Sequence, residues 1–106
     1  MERIESTILK NLIHNEEYSR KSIPFIKAEY FEDRKEKVIF EEIISFIVKY
    51  DSSITIEALN IEVDNRTDLT DDEVKGIKEI TTLLKESSVD QQWLLDSTEK
   101  WCRDRT

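Results

Sequence analysis

Apolar residues recur every three or four positions along most of this chain, which is the spacing of one buried face of an α-helix. The first such set predicts a helix that ends at His14-Asn15, and it comprises Ile4, Ile8, Leu9, Leu12 and Ile13. Asn15 can also cap a short second helix, which we expect to end or kink between Ser22 and Pro24 because proline lacks an amide hydrogen. An irregular link follows.

The third apolar set is the strongest and predicts a helix that begins after Asp33. Its stripe is wide and comprises Ile39, Phe40, Ile43, Ile44, Phe46, Ile47 and Tyr50. About seventeen residues without a turn signal are too many for a strand, although many of them are β-branched. The width of the stripe predicts a central helix that is contacted from more than one side.

Two further helices are predicted after the break at the sequence DSSIT. Ser53 or Thr55 can cap a fourth helix, whose apolar positions are Ile56, Leu59 and Val63. Thr70 and Glu73 form a capping-box pattern at the start of a fifth helix. The apolar positions of that helix are Val74, Ile77, Ile80 and Leu84. Its Gly76 costs about 1 kcal/mol relative to alanine unless another backbone approaches there.

The sixth predicted helix carries both tryptophans of the chain. Ser88 and Gln91 offer a second capping box before it, and Leu94, Thr98 and Trp101 share one face, with Trp93 beside them. No Gly, Asn or Pro ends this helix after Arg105. Two interpretations stay open: the helix docks on the preceding bundle, or it is the first arm of a longer helical hairpin. We expect Trp93, Leu94 and Trp101 to form hairpin or core contacts that matter for assembly, and we take them as the candidate protein interface.

Composition favours the same architecture. The chain has 106 residues, of which 38% are hydrophobic, with one glycine and one proline. Sheet proteins use many turn residues, so this composition predicts an all-α fold, a small globular bundle of about six helices forming a single domain over residues 1–106.

Charge and cysteine usage narrow the functional classes. The formal net charge of −8 argues against nonspecific binding to nucleic-acid phosphates by this segment. The single cysteine, Cys102, excludes an internal disulfide and fits a reducing compartment. No apolar run approaches the length of a membrane span, and the charged N-terminus lacks a signal-peptide core. We therefore expect a cytoplasmic location and no membrane partner.

The sequence predicts no catalytic, cofactor-binding or metal-ligating residue. The one histidine, His14, has no partners for a nucleophilic or metal site, and we expect a structural or surface role for it. Cys102 lies between cationic neighbours, but a buried inert thiol is more common. The only glycine, Gly76, cannot build a phosphate-binding loop.

An acidic run lies between residues 62 and 73. It fails as a calcium loop, because Arg66 and Leu69 occupy positions that require an oxygen ligand and a glycine. The acids at its end are explained as the first turn of the fifth helix, where the helix dipole favours them. The alternative is a docking patch for a basic partner, formed by Asp68, Asp71, Asp72 and Glu73.

Four segments in a fixed order carry a family resemblance: ILKNLIHNEEYSRKSIPFIKAEYF, VIFEEIISFIVKY, TIEALNIEV and QQWLLDSTEKW. The most specific pieces are Glu29-Tyr30-Phe31, Ala58-Leu59-Asn60, and Trp93-Leu94 with Thr98-Glu99-Lys100. Together they resemble the N-terminal domain of the replicative DNA helicases of T-even type phages, within the DnaB-like hexameric helicases. None of the pieces is a catalytic motif. One departure is Ser53-Ile54, where relatives often carry a proline.

The resemblance implies a noncatalytic N-terminal collar domain followed by an ATP-hydrolysing motor domain beyond Thr106. The motor would bind ATP, Mg²⁺ and single-stranded DNA, and would unwind DNA in the 5′ to 3′ direction. The collar would make dimeric contacts within a hexamer and receive primase and a helicase loader in the infected host cell. Helix six would then begin the hairpin that pairs neighbouring subunits. The alternative function is a stand-alone small acidic phage protein that binds a basic surface or mimics the charge of DNA.

Overall fold

The computed structural model describes residues 3–85 and 89–105. These residues form six α-helices and two short 3₁₀ turns, and no strand occurs among them. The helices are α1 (Ile4–His14), α2 (Glu16–Ser22), α3 (Arg34–Tyr50), α4 (Ile56–Asn65), α5 (Asp71–Leu83) and α6 (Gln91–Arg105). The turns, Ile23–Phe25 and Ala28–Tyr30, replace the irregular link expected after α2. The predicted all-α bundle of about six helices is confirmed.

Local capping explains where most helices begin. Asn15 accepts a hydrogen bond from the Tyr18 amide at the start of α2, and Asp33 accepts one from the Lys35 amide at the start of α3. Thr55 caps α4 in the same way. These short polar side chains satisfy amides that have no partner inside their helix.

The described residues test the predicted cap of α5 but not that of α6. At α5 both bonds of the capping box between Thr70 and Glu73 are present, as predicted. For α6 the predicted cap, Ser88, lies outside the described residues. The carboxylate of Asp90 accepts a hydrogen bond from the Trp93 amide at 2.8 Å and so caps this helix.

The most deeply enclosed helix is α1, and α3 is central only in part. Eight of the eleven residues of α1 are buried, whereas the buried part of α3 ends at Ile43. Helix α3 packs against α1, α4, α5 and the second 3₁₀ turn, so it is contacted from more than one side, as the wide stripe predicted. At the C-terminal end of this helix, Phe46 is only half-buried and Tyr50 is exposed. The apolar stripe therefore extends further along α3 than the buried core does. A helix of seventeen residues is about 25 Å long, close to the width of the whole molecule, and its end therefore extends beyond the core.

Helices α1, α2 and α6 form one side of the bundle, and α4 and α5 pack on α3 at the other. The core is one cluster, whose fully buried larger members include Ile8, Leu9, Leu12, Tyr18, Phe31, Ile39, Ile43, Ile54, Leu59, Ile77 and Leu94. The connection from α5 to α6 is held at both of its described ends by the α1–α2 junction. The His14 ring Nε2 lies 2.8 Å from the Leu84 carbonyl oxygen, and the Asn15 amide donates to Gln91 at 2.9 Å.

Candidate protein interaction surface

The three predicted interface residues of α6 lie in two different environments. Leu94 is fully buried and Trp101 is 4% exposed, so both belong to the core of this chain. The Trp93 side chain is 51% exposed and is available to a partner. Leu94 and Trp101 are seven residues apart on one face of α6, whereas Trp93 faces away from that stripe. The described structure therefore leaves Trp93 as the member of the trio with a free surface.

Trp101 is held by aromatic and cationic neighbours from distant parts of the sequence. Its ring centroid lies 4.9 Å from that of Phe31 and 6.0 Å from that of Tyr30, the latter edge to face. The guanidinium of Arg105 lies 4.7 Å from the Trp101 ring centroid. Arg105 also donates to the Tyr30 carbonyl oxygen at 2.9 Å and pairs with Glu5 at 3.1 Å. These contacts fix the end of α6 against the first third of the chain.

A second exposed feature is a groove between α6 and the segment from α2 to the first 3₁₀ turn. This α6 groove has a volume of about 680 Å³ and a largely apolar lining. Its walls and floor are formed by Lys21, Ser22, Phe25, Tyr30, Leu95, Thr98, Glu99, Cys102 and Arg103. Phe25 stands at one wall with 70% of its surface exposed. An exposed aromatic side chain beside an apolar groove is typical of a protein contact site.

The rim of the α6 groove is lined by ion pairs spaced four residues apart. Lys21 pairs with Glu17 at 3.2 Å and Arg103 pairs with Glu99 at 2.6 Å. In both pairs the acid precedes the base, the more favourable order on a helix. The rim therefore presents both signs of charge around an apolar floor.

The predicted acidic patch is partly neutralised in the folded chain. Arg66 donates two hydrogen bonds to the Asp68 carboxylate, at 2.7 and 2.9 Å, and lowers the pKa of Asp68 to about 2. Glu73 accepts from Arg34 at 2.7 Å and from the Thr70 amide, and the pKa of Glu73 is lowered mainly by that amide. Asp71 and Asp72 are exposed. Of the four predicted residues, Asp68 and Glu73 are thus paired with arginines, and Asp71 and Asp72 are exposed at the first turn of α5.

Sequence patterning missed Arg34 as a cation that approaches this patch. Arg34 begins α3, 39 residues before Glu73, and no local pattern pairs them. Arg66 reaches further, to Glu42 at 3.2 Å, so it joins α3 to the loop between α4 and α5. Phe25 was also missed as an exposed residue. No local pattern marks Phe25 as exposed, since its neighbours Ile23 and Ile26 are apolar as well.

Across residues 3–85 and 89–105, no group of three or more His, Cys, Asp or Glu side chains is arranged to hold a metal ion. Burial raises the pKa of the Cys102 thiol, so a smaller fraction of the thiol is ionised to the reactive thiolate at a given pH. His14 binds a backbone carbonyl, in keeping with the structural role expected for it. Among the described helices, none is long and apolar enough to cross a membrane.

Comparison with known proteins supports the resemblance seen in the sequence. The chain is 36% identical over 98 residues to the DnaB-like replicative helicase of Enterobacteria phage T4. The alignment covers 92% of this chain and 20% of the helicase, so the chain spans about a fifth of the length of that relative. No protein-family model matches the chain. The resemblance to a phage replicative helicase is confirmed.

Proposed function

We propose that this chain is the noncatalytic N-terminal domain of a phage replicative DNA helicase of the DnaB-like kind. The observation that carries the proposal is the 36% identity to the phage T4 helicase over nearly the whole chain. A match confined to 20% of the relative has the size expected of one domain of a larger protein. The full-length protein would be an ATP-dependent helicase that unwinds DNA in the 5′ to 3′ direction.

In this proposal the chemistry belongs to a motor domain outside residues 1–106. That domain would bind ATP, Mg²⁺ and single-stranded DNA, while the segment described here takes no cofactor. Two features support this division. The segment carries a net charge of −8, which opposes binding to a phosphate backbone, and its single glycine cannot form a nucleotide-binding loop.

The domain itself would assemble subunits and dock other replication proteins. Trp93 and the α6 groove are the apolar surfaces that support this role, because both expose aromatic side chains without a cover from the described chain. Hexamer formation through collar contacts, and docking of primase and a helicase loader, would use such surfaces. The protein would act in the cytoplasm of the infected cell.

The alternative function, a stand-alone acidic module that binds a basic partner, has less support. Its patch needs free carboxylates, but Asp68 and Glu73 already bind Arg66 and Arg34. Asp71 and Asp72 alone make a small negative surface at the first turn of α5, where the helix dipole explains them.

The proposed function is tested first by the size and activity of the native gene product. The product should be recovered from infected cells with an N-terminal tag, and its mass measured. We expect a mass several times 12.6 kDa and unwinding of forked DNA that depends on ATP. A product near 12.6 kDa would overturn the proposal and favour the acidic module.

A pair of variants in that native protein tests the assembly role. Trp93→Glu places a charge on an exposed aromatic side chain, and we expect it to lower the hexamer fraction in sedimentation at least about tenfold, the loss typical of an aromatic contact residue. Val48→Glu is the control, because Val48 is 80% exposed and lies on α3. Equal hexamer fractions for Trp93→Glu and the unchanged protein would contradict the assembly role of Trp93.

A further inference from the structure

The excess negative charge of the chain is confined to one segment. Residues 41–73 hold ten acids and two bases, a net charge of −8, which is the net charge of the whole chain. Residues 1–40 hold eight acids and eight bases, and residues 74–106 hold six of each. In the fold, residues 41–73 form the second half of α3, all of α4 and the first turn of α5, which pack together on one side of the bundle. That side therefore attracts cations, whereas the rest of the molecule has no net charge.

The two cations within this segment leave the exposed acids of α4 without a partner. Arg66 pairs with Glu42 of α3 at 3.2 Å, and the Nζ of Lys49 lies 5.3 Å from the centroid of an aromatic ring on α3. Glu57 and Glu62 are exposed on α4, and neither takes part in an ion pair with any residue of 3–85 or 89–105. Their charges are available to a partner.

Apolar side chains lie beside these free carboxylates. Glu42, Phe46 and Tyr50 are spaced four residues apart and so share one side of α3. Burial raises the pKa of Glu42 and the nearby Glu62 carboxylate raises it further, so this side of α3 faces α4. The two rings pack with their centroids 4.7 Å apart, and Tyr50 is 55% exposed. On α4, Ile61 directly precedes Glu62 and is 58% exposed.

These side chains make a mixed acidic and apolar surface, which we call the α3–α4 face. It comprises Phe46 and Tyr50 of α3 with Glu57, Ile61 and Glu62 of α4. Exposed apolar side chains that cluster among charges of one sign are typical of a protein contact site. An amphipathic helix with basic flanks is complementary to such a surface, because its apolar stripe and its charges are both matched. A second copy of the chain would bring two acidic faces together and is disfavoured by their repulsion.

We propose that the α3–α4 face docks a basic amphipathic helix of another protein, whose apolar side chains cover Tyr50 and Ile61 and whose lysines or arginines pair with Glu57 and Glu62. The inference rests on the docking role proposed above and names the chemistry of the partner. It also separates docking from assembly, because the α3–α4 face and Trp93 lie on different helices. A subunit could then keep its assembly contacts while a partner is bound.

Binding of a synthetic peptide to the 106-residue chain tests the charged part of the proposal. The probe has about eighteen residues, or five helical turns, with leucines at helical spacing and lysines and arginines between them. Calorimetry at about 0.15 M salt, where distant charges are screened, should give one peptide per chain. Joint replacement of the α4 acids, Glu57→Gln with Glu62→Gln, should raise the dissociation constant at least about fivefold. The control, Glu29→Gln with Glu32→Gln, removes the same charge at exposed positions outside the face and should leave the constant within about twofold.

Two further variants test the apolar part. Tyr50→Ser and Ile61→Ser should each raise the dissociation constant at least about fivefold, since each removes an apolar contact. Phe25→Ser is the control, because Phe25 is 70% exposed but lies outside the face. Circular dichroism should show that all three variants remain folded, since each replaced side chain is more than half exposed. A peptide with serine in place of leucine should bind the unchanged chain at least about tenfold more weakly.

Amide chemical shifts of the isotope-labelled chain locate the contact. On addition of the peptide we expect the largest changes within residues 46–50 and 57–62. Largest changes elsewhere would overturn the proposal, and so would the absence of binding. An equal loss of affinity for the two glutamine pairs would also overturn it, because net charge alone would then explain the attraction. Shifts at these residues that depend on the concentration of the chain without peptide would assign the face to a second copy instead.

These outcomes are separable from failure of the proposed function, which the mass and unwinding activity of the native product decide. A native product of helicase size whose α3–α4 face binds no basic peptide would keep the proposed function and overturn this inference.

Discussion

The hydroxyl of Tyr18 connects α2 to α6 inside the core. It lies 2.7 Å from the Thr98 Oγ1, and the Tyr18 side chain is fully buried. Burial raises the pKa of Tyr18 to about 12 from 10.0, because the interior disfavours a phenolate, and the hydrogen bond to Thr98 offsets this only in part. This side chain therefore links the stability of the fold to alkaline pH.

The sign of that link follows from the raised pKa. Below pH 10 the folded and the unfolded protein both keep the Tyr18 proton, and the contribution of Tyr18 to stability is constant. Between pH 10 and 12 the unfolded protein loses this proton first, so the free energy of unfolding falls as pH rises. We expect a loss of about 1 kcal/mol at about pH 11. Urea unfolding of the wild type and of Tyr18→Phe, at about pH 8 and about pH 11, measures it. The fall with pH should be smaller in the variant by that amount, and an equal fall in both proteins would contradict the assignment.

At the scale of one element, α5 contains a glycine that its helix does not need. A Cβ added to Gly76 would lie 3.0 Å from the Cδ of Lys35 and closer still to its Cε, so the neighbour is a flexible side chain and not another backbone. Alanine favours a helix interior over glycine by about 1 kcal/mol.

We therefore expect Gly76→Ala to stabilise the chain, by somewhat less than about 1 kcal/mol because Lys35 must move aside. Urea unfolding at neutral pH provides the measurement. In a Lys35→Ala background the obstruction is absent, and the same substitution should give the full gain. A destabilised Gly76→Ala protein that Lys35→Ala does not rescue would show that the backbone itself requires glycine at this position.

The helices were predictable because their signals are local. The cap at Asn15, the box between Thr70 and Glu73, and the apolar spacing of each helix all act within about four residues. The candidate surface was only half predictable for the same reason. Which tryptophan of α6 is buried depends on Phe31, some seventy residues away, and the neutralisation of Glu73 depends on Arg34. Such pairings are set by tertiary packing, which periodicity does not encode.

At the scale of the whole molecule, the C-terminal helix closes the fold onto its beginning. Trp101 packs on Tyr30 and Phe31, and Arg105 pairs with Glu5, 100 residues earlier. The Trp101 indole Nε1 has no hydrogen-bond partner among the described residues, so this side chain stabilises the fold through ring packing and through its contact with the Arg105 guanidinium. The free energy of the whole bundle thus depends on a helix whose exposed side we assign to assembly.

The two tryptophans of α6 give a matched test of that division, because they share a residue type and a helix but differ in exposure, 4% against 51%. Trp101→Ala should lower the free energy of unfolding by about 3–5 kcal/mol, since it removes a large buried ring and leaves a cavity beside Phe31. Trp93→Ala should change it by less than about 0.5 kcal/mol. Urea unfolding followed by far-ultraviolet circular dichroism measures both. Similar losses in the free energy of unfolding for the two variants would mean that Trp93 is part of the core and would remove it from the assembly surface. A large loss for Trp101→Ala alone would leave Trp93 free to contact a partner without destabilising the fold.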